Sequence, residues 1–430
     1  MKLHAVVVAV CLSFAACGAR TGLLVPAGSS PESDAGADAE PGEDASVGPI
    51  CSPSLDAGPT PTCSSWRAGS EVTVSPGGSP GQMAYFTSVV PSGDGVLATW
   101  FALTGENESA TWVTQRLGFD GVPLGPARDH LAFSTDGGIY VDVMSLAGNG
   151  CAFGGVVDDE ANGCRFLPLD GDGRETGPAV SRTADVCWDL GAAADGAFSM
   201  LTASSSSTGN APVQLLTVSA SGQSGATAVL LPDITSAGLS PRLVLRDGSF
   251  LLSTFVEVDS GALATDMRHF AADGTLLAGP FPISDTVYSV LYMAETTNGV
   301  LAAWQGDANE KETVFTAALD HDGKLLAPPA PVVASENDAL YGFALASTPG
   351  GDGLVAWQSL VNGSMFNLQV QALAPDGTPR GAPTNIGTYD ALGTIRPVVS
   401  ADGTRAVLLF TGEEPNTTDG MRAVPLFCVQ

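Results

Sequence analysis

The stretch "SVLYMAETTNGVLAAW" (residues 289–304) sets two apolar runs on either side of Asn298-Gly299. Such a pair between apolar runs signals a β-hairpin, because glycine accepts the positive φ of a tight turn. The second run, Val300 to Trp304, does not alternate with polar residues. It therefore predicts a strand covered on both faces. The same pattern returns in "SVVPSGDGVLATW" (88–100), "RLVLRDGSFLLSTF" (242–255) and "RPVVSADGTRAVLLF" (396–410).

Reading outward from each hairpin, a polar loop leads to a third strand, such as "VFTAALD" (314–320) or "LQVQALA" (368–374). A glycine turn follows, and then a short fourth strand such as "GPFPIS" (279–284). The glycine turns are "LGFDG", "PLDGDG", "VSASG", "FAADG", "LDHDG" and "LAPDG", ending at Gly121, Gly173, Gly222, Gly274, Gly323 and Gly377. They stand 52, 49, 52, 49 and 54 residues apart. Regular repetition at this period marks solenoids, propellers and arrays, and four short antiparallel strands per repeat make one propeller blade.

Seven first-and-second-strand pairs and seven third strands can be counted, the last being "MRAVPLF" (421–427), but only six fourth strands follow a turn. The missing one is expected in "EVTVS" (71–75), so that the N-terminal strand completes the last blade and leaves no open sheet edge. The fold expected for residues 63–430 is an all-β, seven-bladed β-propeller of four-stranded antiparallel blades. A string of immunoglobulin-like sandwiches would need about 100 residues per unit and no turn motif at half that spacing.

These repeats lack a Trp-Asp or double-glycine signature. They resemble the degenerate Asp-Gly-turn propeller repeats of bacterial surface lipoproteins, a group with no shared activity, so the resemblance implies a fold and a location but no reaction. The N-terminus agrees. Lys2 and the apolar run Ala5–Leu12 form a signal peptide over residues 1–16. "FAAC" (14–17) resembles a lipobox, with Phe14 where leucine is usual, and makes Cys17 the expected lipid attachment point. Residues 17–62 read as an acidic linker. The part "SSPESDAGADAEPGEDASVG" (29–48) is too poor in apolar side chains to offset its ordering entropy, so disorder is expected there. The expected location is the outer membrane, facing the periplasm or the cell surface.

The chain carries 46 Asp and Glu against 17 Lys and Arg, a net charge of −29, and loss of Lys2 with the signal makes it −30. Nucleic acid would be repelled. The membrane, reached through the lipid, and an unknown protein or carbohydrate are the expected partners. Cys51, Cys63, Cys151, Cys164, Cys187 and Cys428 remain after processing. Without a CxxC pair they suggest disulfides in an exported chain rather than a zinc site. Cys428 ends the last third strand and Cys63 precedes the strand expected to replace the fourth, so a Cys63–Cys428 bridge is expected to fasten the ring. The other pairings stay open.

No HExxH, GxSxG or phosphate-binding loop is present, and His130, His269 and His321 are the histidines left after the signal. No catalytic residue and no cofactor is expected. Calcium is the one cation the acidic loops suggest; "DGDGRE" (170–175) lacks the full EF-hand pattern. Trp100, Phe255, Trp304, Trp357 and Phe410 share one repeat position, which suits packing between blades better than a sugar platform. Asp142, Asp189 and Glu295 are the carboxylates expected on channel-lining strands. A glycosidase would need two of them facing each other about 5–10 Å apart. Three readings follow: a membrane-anchored binding or scaffold module, a propeller-type carbohydrate hydrolase or lyase, and a subunit of an envelope assembly complex. Any ligand is expected on the face of the second-to-third-strand loops, whose acids include Glu106, Glu108, Glu257, Asp259, Asp266, Asp307, Glu310, Glu312, Glu413, Glu414 and Asp419.

Overall fold

A computed structural model describes residues 62–75 and most of 84–430. Outside the described residues lie 1–61, 76–83 and the connecting segments 105–108, 135–143, 149–151, 160–162, 183–184, 194–195, 205–211, 220–222, 232–241, 258–262, 288–290, 309–310, 335–339, 349, 362–364 and 414–419. Cys17, Cys51, Cys151, Asp142 and Gly222 fall there, as do the loop acids Glu106, Glu108, Asp259, Glu310, Glu414 and Asp419.

The described residues form 29 strands and no helix. Two short N-terminal strands, β1 (Ser65–Ala68) and β2 (Val72–Ser75), come first. Blade one is β3 (Ala84–Ser92), β4 (Gly95–Thr104), β5 (Ser109–Gly118) and β6 (Arg128–Ser134). Blade two is β7 (Met144–Gly148), β8 (Phe153–Asp159), β9 (Gly163–Leu169) and β10 (Val180–Arg182). Blade three is β11 (Asp185–Ala192), β12 (Phe198–Ser204), β13 (Val213–Val218) and β14 (Ser224–Leu231). Blade four is β15 (Leu243–Val244), β16 (Phe250–Glu257), β17 (Leu263–Phe270) and β18 (Leu276–Val287). Blade five is β19 (Tyr292–Thr296), β20 (Gly299–Ala308), β21 (Lys311–Leu319) and β22 (Ala330–Ala334). Blade six is β23 (Leu340–Ser347), β24 (Gly353–Val361), β25 (Met365–Leu373) and β26 (Pro379–Tyr389). Blade seven holds β27 (Ala391–Val399), β28 (Arg405–Glu413) and β29 (Gly420–Val429).

Each blade is a separate antiparallel sheet in chain order, and the innermost strands touch one another around the ring, β27 meeting β3. The molecule is a seven-bladed β-propeller. Its ring closes on blade seven, where β1 and β2 both pair with β29. The expected strand at 71–75 is thus only the second half of the closure. The first half, β1, runs from Ser65 opposite Val429 to Ala68 opposite Leu426, and β2 resumes with Val72 opposite Ala423. The break falls at Gly69, where an added Cβ would come within 2.8 Å of the Pro425 ring. Pro425 offers no N–H to a ladder, yet its carbonyl accepts the Gly69 N–H at 2.8 Å. Proline and glycine together interrupt one long closing strand.

The apolar core lies between blades rather than within them. Trp304 packs with Leu245 and Leu251 of blade four, Trp357 with Ala303 and Val314 of blade five, and Phe410 with Leu354 and Leu368 of blade six. Burying each such ring contributes roughly 1.5–3 kcal/mol. The recurring aromatic position is therefore a packing position, although Phe255 is only partly buried.

The recurring glycine turn also joins blades. Ala374 and Thr378 pair across a three-residue loop in which Gly377 has φ +85°, and the Thr378 N–H is bound by Asp376 Oδ1 at 2.9 Å. Aspartate orders the turn, and glycine supplies its left-handed residue. Gly377 is also pressed on blade five. A Cβ there would lie 2.9 Å from the Ala317 backbone, and its carbonyl accepts a hydrogen bond from Thr316 Oγ1 at 2.5 Å. Thr114 Oγ1 of blade one donates in the same way to the carbonyl of Gly173 of blade two, at 3.1 Å.

Among the described residues two disulfides are formed. Cys63 and Cys428 are bonded, with Cα atoms 5.3 Å apart, where the other blades have their third-to-fourth-strand turn. Cys164 of blade two and Cys187 of blade three form a blade-to-blade bond. The N-terminal segment also ties to blade six. Asp352 takes the Cys63 N–H at 3.1 Å and Arg380 Nη1 at 2.8 Å, while the Tyr389 hydroxyl donates to Glu71 at 2.7 Å.

Candidate functional site

The chain enters every blade along its innermost strand and leaves the second strand by a connection that is only two residues long in blade five and three in blades two and six. Both events fall on the same side of the disc, the loop face, and the glycine turns mark the other side. A cavity of about 390 Å³ opens on the loop face over blades five, six and seven. That is near the lower end of ligand-site volumes, roughly 300–1,000 Å³. Its lining includes Tyr292, Tyr341, Phe343, Gln305, Gln358 and Arg396.

Two irregularities shape it. The register of β23 on β24 shifts between Leu340 and Gly342, and that of β27 on β28 shifts between Leu392 and Ile395. Each bulge re-aims the residues at its strand's entry. The inner strands of blades one and three carry similar shifts, and those of blades two, four and five pair without one. At the first bulge, Gly342 leaves room for the Gln358 amide, since a Cβ there would sit 2.6 Å from Gln358 Nε2. The amide crosses to blade seven, donating to the Gly393 carbonyl at 3.4 Å.

Arg396 reaches from blade seven past blade six to blade five. Its Nη1 donates to the Tyr292 hydroxyl at 3.2 Å and to the Ile395 carbonyl at 2.9 Å, and its guanidinium carbon lies 5.1 Å from the Tyr292 ring centre. Tyr292 meets Phe343 edge-on at 5.1 Å. The expected loop acid Glu312 is engaged in building this wall. Its Oε2 accepts the Leu340 N–H at 3.0 Å and Gln305 Nε2 at 3.4 Å. Gln358 is only 6% exposed, and its Oε1 has no hydrogen-bond partner among the described residues. A buried unpaired acceptor costs about 1–3 kcal/mol. Gln358 lines the cavity, with Oε1 turned into the protein.

The two described channel carboxylates lie elsewhere and are both engaged. Asp189 binds Arg242 of blade four, with Oδ2 3.2 Å from Nε and from the Arg242 N–H. Burial pushes the Asp189 carboxyl up, against the pull of Arg242, and burial lowers Arg242 in turn. Glu295 sits 3.6 Å from Arg246, and burial raises it too. Neither lines the cavity.

A Ser-His-Asp geometry, which no motif announced, occurs between blades four and five. Ser249 Oγ lies 2.9 Å from His269 Nε2, and His269 Nδ1 lies 3.0 Å from Asp322 Oδ1. A second copy joins blades one and two, with Thr114 Oγ1 2.8 Å from His130 Nε2 and His130 Nδ1 2.9 Å from Glu175. In both, the acid belongs to the turn segment of the next blade. Ser249 gives its proton to Asp247 Oδ1 at 2.6 Å, and Thr114 gives its own to Gly173, so neither hydroxyl offers a proton for histidine to remove. Burial opposes ionisation of Asp247, but the Ser249 hydroxyl and N–H outweigh it and hold that carboxyl below its usual range. These are clasps between blades.

No protein-family model and no curated protein matches the sequence. Solved structures resemble the fold. A protein of unknown function from Dyadobacter fermentans aligns over 85% of this chain and 99% of its own, at 11% identity and TM-score 0.46. The β-propeller domain of the Trilobed protease from Pyrococcus furiosus aligns over 81% and 96%, at 10% and 0.48. Drosophila Semaphorin 1b, extracellular domains 1–2, aligns over 86% and 88%, at 11% and 0.44. Likenesses this remote leave the site to be read from its own residues.

Proposed function

We propose that this chain is an extracytoplasmic binding lipoprotein, held to the outer membrane through Cys17 and presenting its propeller on an acidic tether. The carrying observation is the loop-face cavity, where aromatic rings, two amides and an arginine converge and one buried acceptor is unpaired. The signal and the lipobox-like "FAAC" support the anchor, and two disulfides agree with an oxidising compartment.

Among the described residues no three His, Cys, Asp or Glu side chains gather into a metal-holding group. Calcium enters the proposal only as a ligand of the outer loops, read by a rise in melting temperature at millimolar calcium. Two experiments test the whole. Cys17→Ser in a Gram-negative host is expected to move the folded protein from the membrane to the soluble fraction; retention on the membrane at wild-type level contradicts the anchor. A metabolite library screened by melting shift is expected to give hits that Gln358→Leu abolishes. A library with no such hit contradicts the binding role.

A further inference from the structure

We infer that the cavity over blades five to seven takes a single hydroxylated ring bearing one carboxylate, the chemistry of an acid sugar; this rests on the binding role proposed above. The argument is an inventory of unmet hydrogen-bonding capacity. Gln358 lines the cavity and its Oε1 is buried without a partner among the described residues, so a ligand hydroxyl toward which the amide turned would supply the missing donor. Arg396 spends Nη1 on Tyr292 and Ile395, while Nη2 and Nε have no partner among the described residues.

Acids outnumber bases 46 to 17, and Arg116, Arg242, Arg246, Arg380 and Arg422 each hold a carboxylate. Among the described residues Arg67, Arg128, Arg268, Arg405 and Arg396 hold none, and of these Arg396 lines the cavity. Its planar fork suits a carboxylate. The Tyr292 hydroxyl accepts from Arg396 and keeps its own proton to donate. Tyr341, 49% exposed and held edge-on by Phe366 at 5.2 Å, offers a ring against which a sugar can lie.

A cationic ligand would meet Arg396. A polyanion would be repelled by the chain's net charge of −29. One negative charge is what both features admit. The volume, about 390 Å³, accommodates one sugar ring with its substituents.

The test is calorimetric titration of the full mature chain with D-galacturonate, and with D-galactose and acetate as its two chemical halves. Galacturonate is expected to bind one to one, at least about tenfold tighter than either half, the order of one charge-assisted hydrogen bond. Arg396→Gln is expected to bring galacturonate down to the level of galactose while galactose is unchanged. Gln358→Leu is expected to weaken both sugars. Should Arg396→Gln fail to fold, Arg396→Lys, which keeps the charge, is expected to retain part of the preference for galacturonate over galactose. Galacturonate binding no tighter than galactose, or undiminished in Arg396→Gln, overturns the inference. Library hits lost in Gln358→Leu, with galacturonate silent, would overturn the ligand class and leave the binding role standing.

Discussion

The two sides of the disc are built from the same repeats and behave differently. On the turn side one tight glycine loop recurs, and each described motif glycine has positive φ: Gly121, Gly173, Gly274, Gly323 and Gly377. The turns are copies because every one meets the same demand, fitting a tight loop against the neighbouring blade. On the loop side the residues vary more. Tyr292, Tyr341 and Arg396 stand at three blade entries with a different side chain at each bend, and with Gln305 and Gln358, which follow Trp304 and Trp357, they line the cavity. Regularity marks the scaffold, and departure from it marks the candidate site.

The largest effect should come from the turn side. Cys63→Ser with Cys428→Ser opens a closure spanning 365 residues and leaves blade seven without a covalent substitute for its turn. The loss expected from chain entropy is on the order of 5 kcal/mol, read from urea unfolding, with ligand binding at 25 °C preserved in the folded fraction. A loss below about 1 kcal/mol would mean that β1 and β2 hold the ring unaided.

Gly377→Ala comes next. It forces a left-handed alanine, at about 1–2 kcal/mol, and thrusts a methyl group into the Ala317 backbone. Overpacking adds a further 1–3 kcal/mol. A neutral result in thermal unfolding would deny that these turns clamp the blades.

The smallest effect is electrostatic. The Thr378 hydroxyl and N–H bind Asp376 at 2.6 and 2.9 Å and hold its carboxyl below the usual range. A depressed carboxyl contributes stability above its unfolded pKa, about 3.9, and loses it as pH falls through the folded value. Thr378→Val should raise the Asp376 pKa in an NMR titration. It should also be slightly less stable than wild type at pH 7, with that difference fading as pH falls through the folded value. An unchanged Asp376 titration would remove the hydroxyl from this account.

Much of the scaffold was legible because its demands are local. "LDHDG" and "LAPDG" show a turn, and Val300 to Trp304 show a strand covered on both faces, from consecutive residues alone. The N-terminal closure was half legible. "EVTVS" alternates like a strand, but "SWRA" (65–68) is a four-residue piece whose strand character comes only from pairing with β29. The docking of turn glycines on the next blade was hidden, because turn formation already accounted for them. The cavity was not legible at all. Gln358 and Arg396 lie 38 positions apart and meet through two register shifts, and no spacing rule encodes a bulge. Glu312 and Asp189 read as loop and channel acids because their partners, Leu340 and Arg242, lie in a different blade.

The division between the two faces can be put to one measurement: melting temperature, with and without galacturonate, of wild type, Gly377→Ala and Arg396→Gln. Gly377→Ala is expected to melt several degrees lower yet keep the full ligand-induced rise, and Arg396→Gln to melt near wild type and show no rise. Loss of the rise in Gly377→Ala at temperatures where it remains folded, or its retention in Arg396→Gln, would contradict the assignment of scaffold to one face and binding to the other.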